Sequence, residues 1–152
     1  MKRLFSTCAL GLALALTMSA CKRNEAPGAA PGAAPADAAP VAMQKIDTVQ
    51  GTGKEAVAGA TVVVNYTGWL YAPNADKQHG AQFDSSVGRQ PFSFQLGGGQ
   101  VIPGWDQGVQ GMKVGGKRTV LIPYTMGYGS AGTTGIPGGS GLVFDIELVS
   151  VP

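Results

Sequence analysis

Few side chains in this sequence are of a type and placement that could do chemistry. The two cysteines, Cys8 and Cys21, both fall in the first twenty-one residues, so the rest of the chain has neither a disulfide nor a thiolate to offer. His79 is the only histidine and sits in the polar stretch Ala72 to Ala81, where an exposed surface side chain is expected in preference to a metal ligand. No metal and no cofactor are expected. Three places stand out. Gln82-Phe83-Asp84-Ser85-Ser86 sets a carboxylate directly beside an aromatic ring, an arrangement that also suits a turn or a cap. Tyr128 lies in the Gly-rich run Tyr124 to Gly141, where an aromatic has little core to fill. Val101-Ile102-Pro103-Gly104-Trp105 leads into the one amphipathic helical turn, although Trp105 or Phe144 taken singly reads as core.

The elements that must position these residues follow from periodicity. Trp105, Val109 and Met112 recur at i, i+4 and i+7, giving a short helix one apolar face. Segments from Val62 to Leu70, Phe92 to Leu96, Arg118 to Ile122 and Leu142 to Val149 are rich in β-branched and aromatic residues and alternate as strands do. Met43 to Gln50 reads as a weaker first strand, closed by Gly51-Thr52-Gly53. Ala72 to Ala81 reads as an exposed loop inserted between two strands. The expectation is an α+β domain in which one helix lies on a curved antiparallel sheet, with Trp105 at the floor of the concavity.

A length of 152 residues allows one domain with some attached sequence. In residues 1–20, Lys2 and Arg3 precede an apolar run from Leu4 to Met18 that is short for a membrane span, and small residues follow. That is the pattern of a secretory signal peptide. Cys21 then resembles the lipidated cysteine of a bacterial lipobox, with Met18 where Leu is usual; ordinary cleavage is the alternative. Residues 21–42 are Ala, Pro and Gly with a few charges, a composition expected to form a disordered tether. Residues 43–152 form the folded domain. Its seven basic and seven acidic side chains balance, which argues against nucleic acid as a partner. A monomer is expected, since no heptad or second amphipathic surface is visible.

Five motifs in order, Val64-Asn65-Tyr66-Thr67-Gly68, Phe83-Asp84-Ser85-Ser86, Val101-Ile102-Pro103-Gly104-Trp105, Tyr128-Gly129 and Leu142-Val143-Phe144-Asp145-Ile146-Glu147-Leu148, make the chain resemble the FKBP family of peptidyl-prolyl cis-trans isomerases. The resemblance runs from Thr61 to Val151. It implies a five- or six-stranded antiparallel half-barrel around one short helix. It implies Tyr66, Asp84 and Tyr128 as catalytic residues, and a pocket of Phe83, Phe92, Val101, Ile102, Ile136 and Phe144 with Trp105 as floor. The backbone N–H of Ile102 and the hydroxyl of Tyr128 would donate to a bound peptide. With the signal sequence, it implies an isomerase in the bacterial periplasm, anchored to the outer membrane through Cys21 and acting on proline-containing peptides and unfolded envelope proteins. Macrolides of the kind the family is named for are further expected ligands. A non-catalytic chaperone using the same pocket is the alternative. The chain departs from the family at Ile136-Pro137-Gly138-Gly139, where Ile-Pro-Pro is common, and the added glycine is expected to loosen that loop.

Overall fold

A computed structural model describes residues 41–152. The expected signal segment, Cys21 and the expected tether as far as Pro40 lie outside the described residues. The remainder folds as six strands, β1 (Gln44–Val49), β2 (Thr61–Tyr71), β3 (His79–Ser85), β4 (Phe92–Gln95), β5 (Lys117–Ile122) and β6 (Leu142–Ser150), with one helix, α1 (Pro103–Val109). Every pairing is antiparallel, in the order β1-β5-β6-β2-β3, and β4 also pairs with β2. The expected curved sheet around one short helix is thus the fold observed.

Alternation decides which way each strand faces. On β2, Val62 and Val64 are fully buried while Asn65, Thr67 and Trp69 lie on the other side. The same parity puts Val120 and Ile122 of β5, and Phe144, Ile146 and Leu148 of β6, into one core with Phe94, Leu96 and Trp105. The far edge of β2 is shared: its first half pairs with β4 and its second half with β3. Between them, at Tyr66, the chain of Ser86 takes the place of a strand. Tyr66 N donates to Ser86 Oγ (2.8 Å), and Ser86 N donates to Tyr66 O (2.9 Å).

Only seven residues long, α1 cannot persist through propensity alone, and packing on β5 holds it. Pro103 occupies the first turn, where its missing N–H costs nothing. Gly104 and Gly108 face β5 so closely that a Cβ on Gly104 would lie 2.4 Å from Ile122 Cγ2, and one on Gly108 2.9 Å from Val120 Cγ1. Met112, the last of the apolar i, i+4, i+7 series, is buried beyond the end of the helix. Arg118, only 8% exposed, reaches under that end: its Nη1 donates to Gly108 O (2.8 Å) and Gln110 O (3.1 Å). A cation at a helix C-terminus satisfies the carbonyls left without intrahelical partners. The rest of its guanidinium forks onto Asp47 of β1, with Nε to Oδ1 at 2.6 Å and Nη2 to Oδ2 at 3.1 Å. The Arg118 hydrogen bond is the main reason the Asp47 carboxyl is held below its ordinary value.

Two expectations for the connection Ala72 to Ala81 need correction. Strand β3 begins at His79, inside that stretch, because β2 continues to Tyr71 and offers it a pairing edge. His79 is not an exposed surface residue. Its ring stacks flat on Trp69 (centroids 3.9 Å apart, 5° between planes), its side chain is 16% exposed, and Nε2 stands 3.8 Å from Asp145 Oδ1. The turn that delivers it holds two successive non-glycine residues at positive φ, Lys77 (51°) and Gln78 (62°), an uncommon conformation sustained by the contacts beyond it.

Candidate functional site

Between the concave face of the sheet and α1 lies a pocket of about 400 Å³. Trp105 forms its floor, 4% exposed, placed there by the first turn of α1. Tyr66 of β2 and Phe144 of β6 meet the indole edge to face at 4.9 and 5.2 Å, and Phe92 of β4 does so at 5.9 Å. Phe83 of β3 packs edge-on against Phe144 at 5.5 Å. Such T-shaped contacts between rings fix orientation as well as burying area. Gly68 makes room for them: a Cβ there would come within 2.6 Å of Phe144 and 2.7 Å of Phe83. Val101 and Ile102 close the side next to the start of α1, and Ile102 O accepts from Trp105 N at 2.9 Å.

A carboxylate stands at the rim, and three donors already hold it. Asp84 Oδ2 accepts from the Tyr66 hydroxyl at 2.5 Å; Oδ1 accepts from Ser85 N at 2.8 Å and from Arg89 Nη2 at 2.5 Å. The hydrogen bond from Tyr66 is foremost in holding the Asp84 carboxyl below its ordinary value, with Arg89 and Ser85 N–H adding to it. Burial, then the bond to Asp84, pushes the Tyr66 phenol up to about 12. Tyr128, 39% exposed at the mouth, has its phenol raised by burial and secondarily by the charge of Asp84. A carboxylate so saturated is a poor general base. The pocket can bind an apolar group, exclude water and offer hydroxyl and backbone donors at its edge.

Of the residues expected here, Tyr66, Phe83, Asp84, Phe92, Val101, Ile102, Trp105, Tyr128 and Phe144 all line the pocket. Ile136 does not. It is 5% exposed and belongs to the core cluster, as an aliphatic side chain on a short loop folds inward when a buried cluster lies beneath it. Cys21 lies outside the described residues. Sequence reasoning missed Gly99 and Gln100, which line the pocket just before Val101; their place next to the Val101 motif was the available signal. Nor is the loop after Tyr128 simply loosened by glycine. A Cβ on Gly138 would lie 2.0 Å from Ser130 O and one on Gly132 2.4 Å from Ile136 O, so tight packing demands glycine at both.

A larger groove, about 640 Å³, crosses the opposite, convex face, lined by Asn65, Thr67, Lys117, Thr119 and Glu147 among others. Its walls mix charged and polar side chains with aliphatic ones such as Ile46, Val87 and Leu121, and of the aromatic box only Tyr66 borders it. Size alone does not make it the site of chemistry.

Residues 53–149 match the family model described as FKBP-type peptidyl-prolyl cis-trans isomerase. An FK506-binding protein of Neisseria meningitidis serogroup A is 50% identical over 107 residues, covering 69% of this chain and 92% of that protein. The peptidyl-prolyl cis-trans isomerase FKBP53 of Arabidopsis thaliana is 46% identical over 110 residues, which is 72% of this chain and 22% of the relative. Among solved structures, FkpA from Escherichia coli is similar with a TM-score of 0.62 and 43% identity, covering 72% of this chain and 47% of that one. AtFKBP13 gives the same TM-score at 38% identity, covering 72% and 93%.

Proposed function

The chain belongs to the FKBP-type peptidyl-prolyl cis-trans isomerases, and from that premise we propose that it isomerises X–Pro bonds of proteins in a bacterial cell envelope, held at the outer membrane by a lipid on Cys21. That the protein is a peptidyl-prolyl isomerase rests on the family match and on relatives near 50% identity. The observation that carries the mechanism is the aromatic box over Trp105 with the Asp84 carboxylate held by three donors at its rim.

Rotation about an X–Pro amide faces a barrier of about 18–20 kcal/mol because resonance must be lost. The twisted transition state separates less charge than the planar amide, so an apolar box disfavours the ground state more. A million-fold acceleration corresponds to about 8 kcal/mol. Trp105, Phe144 and Tyr66 receive the pyrrolidine ring; the Ile102 N–H and the Tyr128 hydroxyl hold the flanking carbonyls; Asp84 orients Tyr66. No proton is transferred and no covalent bond forms. The envelope address is supported by the sequence of residues 1–21, which combines a basic start, an apolar run and a cysteine after small residues. Outside the cytoplasm, uncatalysed isomerisation over about 10–100 s would delay folding, and an ATP-independent catalyst suits that compartment. The domain is proposed to act as a monomer.

Exchange NMR on a short proline peptide, with and without an FK506-type macrolide, tests the reaction. Acceleration blocked by the macrolide is expected, and a folded protein that leaves exchange unchanged would move the assignment to a binding module. Metabolic labelling with a radioactive fatty acid, in the wild type and in Cys21→Ser, tests the anchor.

A further inference from the structure

The segment that precedes the fold carries four Ala–Pro bonds, Ala26–Pro27, Ala30–Pro31, Ala34–Pro35 and Ala39–Pro40, spaced four, four and five residues apart. From Ala26 to Ala36 it holds no charged residue. Its end is fixed to the domain at Gly141, just before β6. Val41 lies over Gly141, whose built Cβ would approach Val41 Cγ1 to 3.0 Å, and Met43 packs against the core. Gly141 directly follows the loop that begins at Tyr128 and is pinned by Gly139 N donating to Gly129 O at 2.9 Å. Val41, the first described residue, therefore meets the fold at the end of the loop that begins at Tyr128.

We propose that the pocket takes the chain's own Ala–Pro bonds as an intramolecular ligand and substrate, so that this segment competes with external proline peptides. The inference rests on the isomerase reading of the same pocket. Reach favours the two distal bonds. An extended chain covers about 3.4 Å per residue, and a domain of this size is about 34 Å across. Ala30–Pro31, ten residues before Val41, spans about 34 Å, and Ala26–Pro27, fourteen before, about 48 Å. Ala39–Pro40 directly precedes Val41 in sequence, which leaves no length of chain with which to reach the box. The chemistry fits as well: a pyrrolidine ring and alanine methyl groups enter an aromatic cavity without stripping water from a charge. A short tether supplies an effective concentration of the order of 1 mM, so an intrinsic affinity no better than about 1 mM fills the pocket roughly half the time.

The experiment uses the full chain in a mild detergent with isotope-labelled proline, beside a chain in which Pro27, Pro31, Pro35 and Pro40 are all replaced by Ala. The expected results are cis-trans exchange of the Ala–Pro bonds far faster than the uncatalysed 10–100 s, at a rate independent of protein concentration. With this goes a KM for an added peptide about two-fold lower in the Pro→Ala chain at unchanged kcat. Uncatalysed exchange of these bonds while the added peptide is accelerated would overturn the proposal and leave the isomerase reading standing. Exchange that rises in proportion to protein concentration would also overturn it, since the segment would then be served by neighbouring molecules. Acceleration of neither would sink both.

Discussion

The hydroxyl of Tyr66 donates to Asp84 Oδ2 at 2.5 Å across the β2–β3 pair, and the same carboxylate takes Arg89 and the Ser85 N–H on its other oxygen. A wall residue of the pocket is thereby locked by the group at the rim. Removing the hydroxyl in Tyr66→Phe keeps the ring against Trp105 and leaves Asp84 two donors. A hydrogen bond to a charged group contributes about 1.5 kcal/mol, so kcat/KM in the proline-peptide assay is expected to fall about ten-fold. An unchanged kcat/KM would show that the lock is not used.

Tyr128→Phe separates rim from wall. The Tyr128 side chain is 39% exposed, so the loss of its hydroxyl should leave the melting temperature within about a degree. If the phenol holds a substrate carbonyl, kcat/KM drops about five-fold, the equivalent of about 1 kcal/mol. Equal activity with equal stability would remove Tyr128 from the mechanism.

The pH profile follows from the directions of the shifts. Asp84 is depressed and so stays ionised above about pH 4, while Tyr66 and Tyr128 are raised and stay protonated beyond pH 10. None of the three changes charge between about pH 5 and 9, so kcat/KM is expected to be flat there. A bell-shaped profile would reveal a proton-transfer step that the pocket is not built for.

Arg118 ties β1 to the end of α1, and its partner sets an acid limit on stability. A depressed Asp47 contributes stability that is present above its unfolded value of about 3.9 and is lost as pH falls through the lower folded value. The difference in melting temperature between wild type and Asp47→Asn should therefore be largest near neutrality and shrink below about pH 4. Arg118→Met orphans two helix-terminal carbonyls and Asp47 together, and should cost about 3 kcal/mol by urea titration.

Gly104→Ala tests the close approach of α1 to β5. A Cβ at 2.4 Å from Ile122 Cγ2 forces the helix outward, at a cost of about 1–3 kcal/mol, and moves Trp105 with it. Both stability and kcat/KM should fall. Wild-type stability in Gly104→Ala would show that the helix is free to shift.

Local pattern alone located the alternating strands and most of the residues that carry the pocket. Val62, Val64 and Gly68 against Asn65, Thr67 and Trp69 needed only a period of two, because each strand has one face in a core and one in water. Five ordered motifs held eight of the pocket residues, and Phe92 came from the alternation of β4. What local pattern does not contain is who sits across from whom. That Asp84 takes the Tyr66 hydroxyl, 18 residues away in the chain, depends on β2 meeting β3. That Ile136 turns into the core, His79 lies on Trp69, and Gly104, Gly132 and Gly138 admit no side chain are facts of tertiary contact. Each is decided by which surfaces are left to cover once the sheet has closed around the helix, and no residue's own preference encodes that.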